Sequence, residues 1–399
     1  MLKKDNDPVL FKEGGLKKRI FTIFLIFALG FIFVSGCGLS SSGSEESTEA
    51  ETAAEIPQEA YDDVIYYLTD GVVSADDVVY TVNGAEITAA EFFYWLTYEG
   101  YVYSYSYYSS YYYYPDLAEE FSDGTTMAEY VFEDAYYYAT LYACVYANAL
   151  AAGVTLTDTY QESLDSYISD AAEELGQDEM DLYLMFYSTT EDGLYDLYLK
   201  NYYYQQYEDV LFGTGGEYEV TDEDIEEYIT ESEAYSCRYL LFGDPDGDIS
   251  DEDLEEYYEE ALACYEALTS VYDDEFDELF AEYAEDNPDG NTTGELSFNN
   301  SATVLDDFLE ALESIEVGEG TMTGATEDGY YIIIRDEVTA DTELSSGLTV
   351  LEDYVENAFS ELVSEWVEEM EVVDTGVLDD FDVNSFFTAL EELRALIDI

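Results

Sequence analysis

Beyond residue 36 the chain sets only four cations, Lys200, Arg238, Arg335 and Arg394, against nearly all of its 95 Asp and Glu residues. The first 36 residues hold six of the ten cations and three acids, so that segment carries +3 and the remainder −88. A body so one-sided repels itself, and its stability is expected to rise with salt or divalent cations as the charges are screened. Aliphatic and aromatic residues nonetheless make up 48% of the chain, too many for a disordered acidic polymer. A length of 399 residues leaves room for two or three packed domains. Nucleic-acid binding, which draws its affinity from Lys and Arg displacing counterions, is excluded. The chain has no histidine, which removes imidazole catalysis, imidazole metal ligation and His-activated nucleophiles. Carboxylates, Tyr, Cys and shape remain.

The N-terminus reads as an address. Lys17-Lys18-Arg19 precede an apolar run from Ile20 to Val34, fifteen residues long. That is short of the about 20 that a permanent membrane helix needs, and it fits a signal peptide over 1–36. Val34-Ser35-Gly36-Cys37 resembles the lipobox of bacterial lipoproteins, which implies that Cys37 is lipidated and that the body lies on the extracytoplasmic face of the membrane. A Ser- and Glu-rich stretch over 37–60 reads as a flexible tether. Cys144, Cys237 and Cys264 are an odd remainder; a bridge between Cys237 and Cys264 and three buried free thiols both stay open.

Along the body, two β-prone runs flank Asn83-Gly84, the strongest local signal for a tight hairpin. Thr88-Ala89-Ala90-Glu91 reads as a capping box that opens a helix. From Met127 to about Phe212 the apolar spacing is helical. Gly213 to Gly216 mark a boundary, and Thr221-Asp222-Glu223-Asp224 open another helix. Tyr235–Phe242 reads as a strand, followed by an amphipathic helix capped by Ser250, a short helix around Phe276–Tyr283, a third around Leu305–Ile315, and a strand over Tyr330–Ile334. An apolar stripe from Leu351 to Val367 then returns to helix and is expected to pack on the earlier helical region.

Several of these segments together resemble a known family. Val82-Asn83-Gly84-Ala85-Glu86-Ile87-Thr88 is similar to the "VNGEEIT" opening of the chaperone domain in secretion foldases of the PrsA and SurA type, and Val220 to Asp224 to its "VSDEE" helix start. Residues 235–338 resemble the parvulin peptidyl-prolyl isomerase domain. Arg238 to Leu241 stand where that family has "SHIL", "FDELFAEYAED" (276–286) against "FEDLAKEYSTD", and Thr293 to Phe298 against "GGDLGWF". "FLEALESIEVGE" (308–319) stands against "FSKAAFKLKTGE", and Gly329 to Ile333 against "GYHII". Both family histidines fall on tyrosines, Tyr239 and Tyr331, and the pocket methionine falls on Val304. The acid-or-thiol position is Asp286, and the aromatic pocket positions are Phe298 and Phe308.

Rotation of an X-Pro amide crosses a barrier of about 18–20 kcal/mol without a covalent step, and needs an apolar cup for the proline ring. The resemblance implies that Phe298, Val304 and Phe308 form the cup. Tyr239, Tyr331 and Asp286 would take the place of the family's hydrogen-bond network, since a phenol both donates and accepts. It equally leaves open that both tyrosines only fill the core. The resemblance implies an α+β fold: a helical chaperone domain (61–230) completed by a C-terminal segment (339–399), with an inserted parvulin-like domain (231–338). It implies a lipid-anchored foldase acting on unfolded or nascent secreted polypeptides, which the acidic body suits if they are basic, without cofactor or metal, either as a weakened isomerase or as a non-catalytic holdase. A solute-binding or adhesive surface lipoprotein is the alternative outside the family; the oligomeric state stays open. The Tyr- and Ser-rich run from Tyr101 to Tyr114 reads as a loop or a strand, with a client-binding surface as its functional alternative. Asp244, Asp246, Asp248 and Glu255 have calcium-loop spacing, but Ile249 occupies the position that needs Gly.

Overall fold

The computed structural model describes residues 55–121, 124–243, 249–269, 292–326 and 328–397. Two short helices, α1 (Gln58–Asp62) and α2 (Val64–Leu68), lead to the hairpin of β1 (Val78–Val82) and β2 (Ala85–Thr88). Asn83 and Gly84 turn it with φ of 51° and 90°, the pair of positive angles that a tight hairpin turn requires and that Asn-Gly accepts. Thr88 caps α3 (Ala89–Tyr111) by accepting from the Glu91 amide. The reciprocal half of the expected capping box is absent, because the Glu91 carboxylate turns inward to Lys200.

The first half of α3 is buried on every side, which is why no single apolar stripe marks it. Trp95 lies between Tyr138 and Tyr142, with ring centroids at 5.6 and 5.3 Å and planes 23° apart in both pairs. Such contacts contribute about 0.5–1.5 kcal/mol each beyond area burial, which matters in a chain with few opposite charges to pair. The Tyr-rich run is neither loop nor strand: α3 continues through Tyr111 and ends at Tyr112. The next helices are α4 (Met127–Ala151), α5 (Asp158–Leu175), α6 (Gln177–Phe186), α7 (Glu191–Phe212) and α8 (Asp222–Glu231). α4 and α8 each open on a complete capping box, Thr126 with Glu129 and Thr221 with Asp224.

A four-stranded antiparallel sheet follows, built from β3 (Tyr235–Gly243), β4 (Thr292–Phe298), β5 (Gly320–Met322) and β6 (Gly329–Asp336) in the order β4-β3-β6-β5. Strand alternation sorts its residues. Leu240, Phe242, Ile332 and Ile334 face Ala261, Cys264 and Leu268 of a helix over Asp251–Thr269. Cys237, Leu241, Tyr331 and Ile333 face Phe308 and Leu312 of a helix over Asp306–Glu313. Cys237 and Cys264 therefore lie on opposite faces of the sheet, and all three body cysteines are free and buried. In chain order these two helices are α9 and α10.

The C-terminal segment returns to the first sheet. α11 (Val350–Glu369) packs against α4, α7 and α8; β7 (Val372–Asp374) pairs antiparallel with β1; α12 (Val383–Arg394) packs on α4. Asp353 on α11 accepts from Tyr228 at 2.6 Å and from Asn299 at 2.9 Å, so one carboxylate joins α8, α11 and the end of β4. The body cations are all used internally. Lys200 is paired with Glu91 and donates to the Glu86 carbonyl at 2.8 Å. Arg238 forks onto Asp336. Arg335 donates to the Ile315 carbonyl and lies over the Tyr235 ring. Arg394 donates to the Phe186 carbonyl and stacks on that residue's ring.

Candidate functional site

Period-two alternation on β3 puts Tyr239 on the same face as Cys237 and Leu241, between Gly294 of β4 and Ile333 of β6. Tyr331, opposite Leu241 on β6, shares that face. Phe298 ends β4, Val304 lies in the loop before α10, and Phe308 is on the first turn of α10; all belong to the same cluster. The rings meet edge to face: Tyr239 to Tyr331 at 5.7 Å, Tyr239 to Phe308 at 6.1 Å and Phe308 to Tyr331 at 5.1 Å. Five of the residues singled out in the sequence are thus brought together. Asp286 and Cys37 lie outside the described residues.

One polar partner was not visible in the sequence. The Tyr331 hydroxyl donates to the Asp328 carboxylate at 2.8 Å, while its backbone N–H donates to the Thr323 hydroxyl at 2.9 Å. Gly329 makes this possible: its φ is +122°, and a β-carbon there would stand 2.3 Å from the Phe242 carbonyl oxygen. Only glycine fits so close to β3 with that backbone, and the turn swings Asp328 toward the end of the Tyr331 ring. The glycine was the one available signal.

Among the described residues the arrangement offers hydroxyls and a carboxylate beside aromatic faces, and no activated nucleophile. Burial pushes the Cys237 thiol up to about 12, and its Sγ lies 3.5 Å from the Leu296 carbonyl oxygen. Phe298 and Phe308 are each only 3% exposed; the rings of Tyr239 and Tyr331 pack against Phe308 and that of Tyr235 against Phe298, whereas Tyr239 itself is half-buried and can be approached. Among the described residues no group of three His, Cys, Asp or Glu is placed to hold a metal ion, and no helix is long and apolar enough to cross a membrane. A separate open cleft of about 500 Å³ lies between the β1–β2 hairpin and α4 and α7, lined in part by Asn83, Tyr146, Asp196 and Lys200.

No family model matches the chain, and no curated protein matches it. Among solved structures it is similar to PrsA from Bacillus subtilis, with 17% identity, covering 71% of this chain and 93% of that one at a TM-score of 0.19. It is also similar to the foldase protein PrsA from Streptococcus pneumoniae, with 15% identity, covering 67% of this chain and 99% of that one at a TM-score of 0.21. A SurA-like chaperone from Campylobacter jejuni has 11% identity, covering 74% of this chain and 98% of that one at a TM-score of 0.22. These three are foldases or chaperones of the PrsA and SurA type.

Proposed function

We propose that the protein is an extracytoplasmic foldase, anchored through a lipidated Cys37, that holds unfolded secreted polypeptides and whose parvulin-like domain has little or no isomerase turnover. The chaperone part would comprise 61–230 with 339–399, and the parvulin-like part 231–338. One observation carries this reading: Tyr239, Tyr331, Phe298, Val304 and Phe308, the positions that the resemblance assigns to an isomerase site, meet on one sheet face, yet both phenylalanines are buried and Phe308 is covered edge-on by the two tyrosines. A proline ring needs an open apolar cup, and here Phe308 is already packed against Tyr239 and Tyr331.

A weakened isomerase is the second reading. It is favoured by the Tyr331–Asp328 hydrogen bond beside a half-buried Tyr239, which keeps polar groups next to the pocket positions. Cis/trans exchange of an Ala-Pro peptide, followed by NMR alongside aggregation of an unfolded client, separates the two. Suppressed aggregation with exchange at the uncatalysed rate supports the holding function. Accelerated exchange that is lost in Phe308→Ala supports the isomerase. A chain that neither suppresses aggregation nor accelerates exchange is not a foldase.

A further inference from the structure

The C-terminal half of α3 leaves the core, and its tyrosines are not consumed by the fold. Tyr105 and Tyr111 are 54% and 58% exposed. The rings still pack on one another, Tyr101 on Tyr105 at 6.2 Å and Tyr107 on Tyr111 at 4.5 Å. Tyr112 adopts φ of +63°, a conformation unfavourable for a bulky residue, and is 82% exposed. That reversal returns Tyr113 and Tyr114 onto Tyr107 and Tyr108, with centroids at 5.2 and 4.7 Å, and the Tyr107 and Tyr113 hydroxyls are bonded at 2.8 Å. The product is a tyrosine wall about 16 Å long in two stripes, Tyr101, Tyr105, Tyr108 and Tyr114 on one and Tyr107, Tyr111 and Tyr113 about 120° around the helix on the other.

Apart from Arg394, the charge named around this wall is negative. The Tyr103 hydroxyl is bonded to Asp134, Glu119 lies within electrostatic reach of Tyr107, and Asp116 faces Glu391. The nearby cation Arg394 is committed to the Phe186 carbonyl and ring. A cation over a tyrosine face is attracted by the ring quadrupole, and here flanking carboxylates add to that attraction.

We propose that the tyrosine wall of α3 is a docking surface for an extended, basic segment of an unfolded polypeptide, with Lys and Arg side chains laid over the rings and their charges turned to the carboxylates. This rests on the foldase reading and names the class of client and its place of contact. A second copy of the chain fits poorly, because each brings a body of −88 to the contact. An uncharged glycan would use the rings but leave the carboxylates unanswered.

The test measures binding of a fluorescent unstructured Lys-Ser-Gly peptide, and of its Glu-for-Lys counterpart, to the full chain carried in nanodiscs of zwitterionic lipid. Parent protein is compared with the triple variant Tyr105→Ser, Tyr111→Ser, Tyr113→Ser and with Tyr61→Ser, an exposed tyrosine on α1. Circular dichroism verifies the fold of each. The Lys peptide is expected to bind, more weakly as salt is raised, and to lose about tenfold or more in affinity in the triple variant but not in Tyr61→Ser. Equal binding by parent and triple variant overturns the proposal, as does equal binding of the Glu peptide, or a tyrosine-dependent dimer in sedimentation. Client aggregation read in parallel separates the two claims. Suppression that the triple variant retains in full defeats the docking surface and leaves the foldase standing, whereas no suppression by the parent defeats the foldase reading itself.

Discussion

The phenol of Tyr239 lies across Gly294, its partner on the neighbouring strand, so closely that a β-carbon at 294 would stand 2.7 Å from the hydroxyl oxygen. Phe308 and Tyr331 meet the same ring edge-on and limit where it can move. Gly294→Ala is therefore expected to destabilise the protein by about 1–3 kcal/mol through overpacking. The cost should fall sharply in a Tyr239→Ala background, and a double-mutant cycle in urea measures the difference. Additive effects of the two substitutions would mean that the ring and the glycine are not coupled.

What could be read from the sequence was local, and what escaped it was set by distant parts of the chain. Asn83-Gly84 and Thr221 announced a turn and a cap that the structure contains. Glu91 looked equally like a capping residue, but the buried Lys200, more than a hundred residues away, claims its carboxylate. Tyr and Ser alternating after Tyr101 have the period of a strand. The run is helical because it extends a helix already nucleated in the core, where each added residue gains a bond without a new nucleus. β4 was unreadable around Gly294, since its pairing with β3 comes from a strand some fifty residues earlier. At the candidate site, motif order pointed to Tyr239, Tyr331, Phe298, Val304 and Phe308. The covering of Phe308 depends on how its ring interlocks with those of Tyr239 and Tyr331, which no spacing encodes.

The three body cysteines should be inert while the chain is folded. Burial pushes Cys144 up to about 11 and Cys237 and Cys264 up to about 12, so almost no thiolate exists at neutral pH. Cys237 and Cys264 also face opposite sides of the sheet. A thiol reagent is expected to label none of the three in native buffer and all of them in urea. Mild oxidation should produce no bridge between 237 and 264, and a native crosslink between them on peptide mapping would contradict the sheet arrangement.

Lys200 and Glu91 form a pair that is nearly fully buried, and Glu91 Oε1 finds no hydrogen-bond partner among the described residues. Burial raises the Glu91 carboxyl against the opposing pull of Lys200. Removing the cation alone should be costly, because an uncompensated acid is left in the core. Lys200→Met is expected to lose about 3–5 kcal/mol, and Lys200→Met with Glu91→Leu considerably less. Urea midpoints for the two variants check this; a double variant no more stable than the single one would remove the argument.

Glu208 on α7 and Glu356 on α11 are both pushed up to about 7, first by burial and then by neighbouring negative charge, including that of Glu356 on Glu208. The folded chain therefore holds protons on these carboxyls at a pH where the unfolded chain, titrating near its ordinary 4.5, has released them. By linkage their contribution to stability is fully present below about 4.5 and is lost as pH rises through about 7. Both side chains keep partial contact with water and share one repulsion, so the loss is about 1–3 kcal/mol for the two together rather than twice the value of an isolated group. The general self-repulsion of the chain has the same sign, so the informative quantity is a difference. Between pH 5 and pH 8 the urea midpoint of the parent should fall more steeply than that of Glu208→Gln with Glu356→Gln, which keeps the packing and removes the titration. Parallel slopes would place the pH sensitivity in the diffuse surface charge, and would mean that α11 docks on α7 without a protonated carboxyl between them.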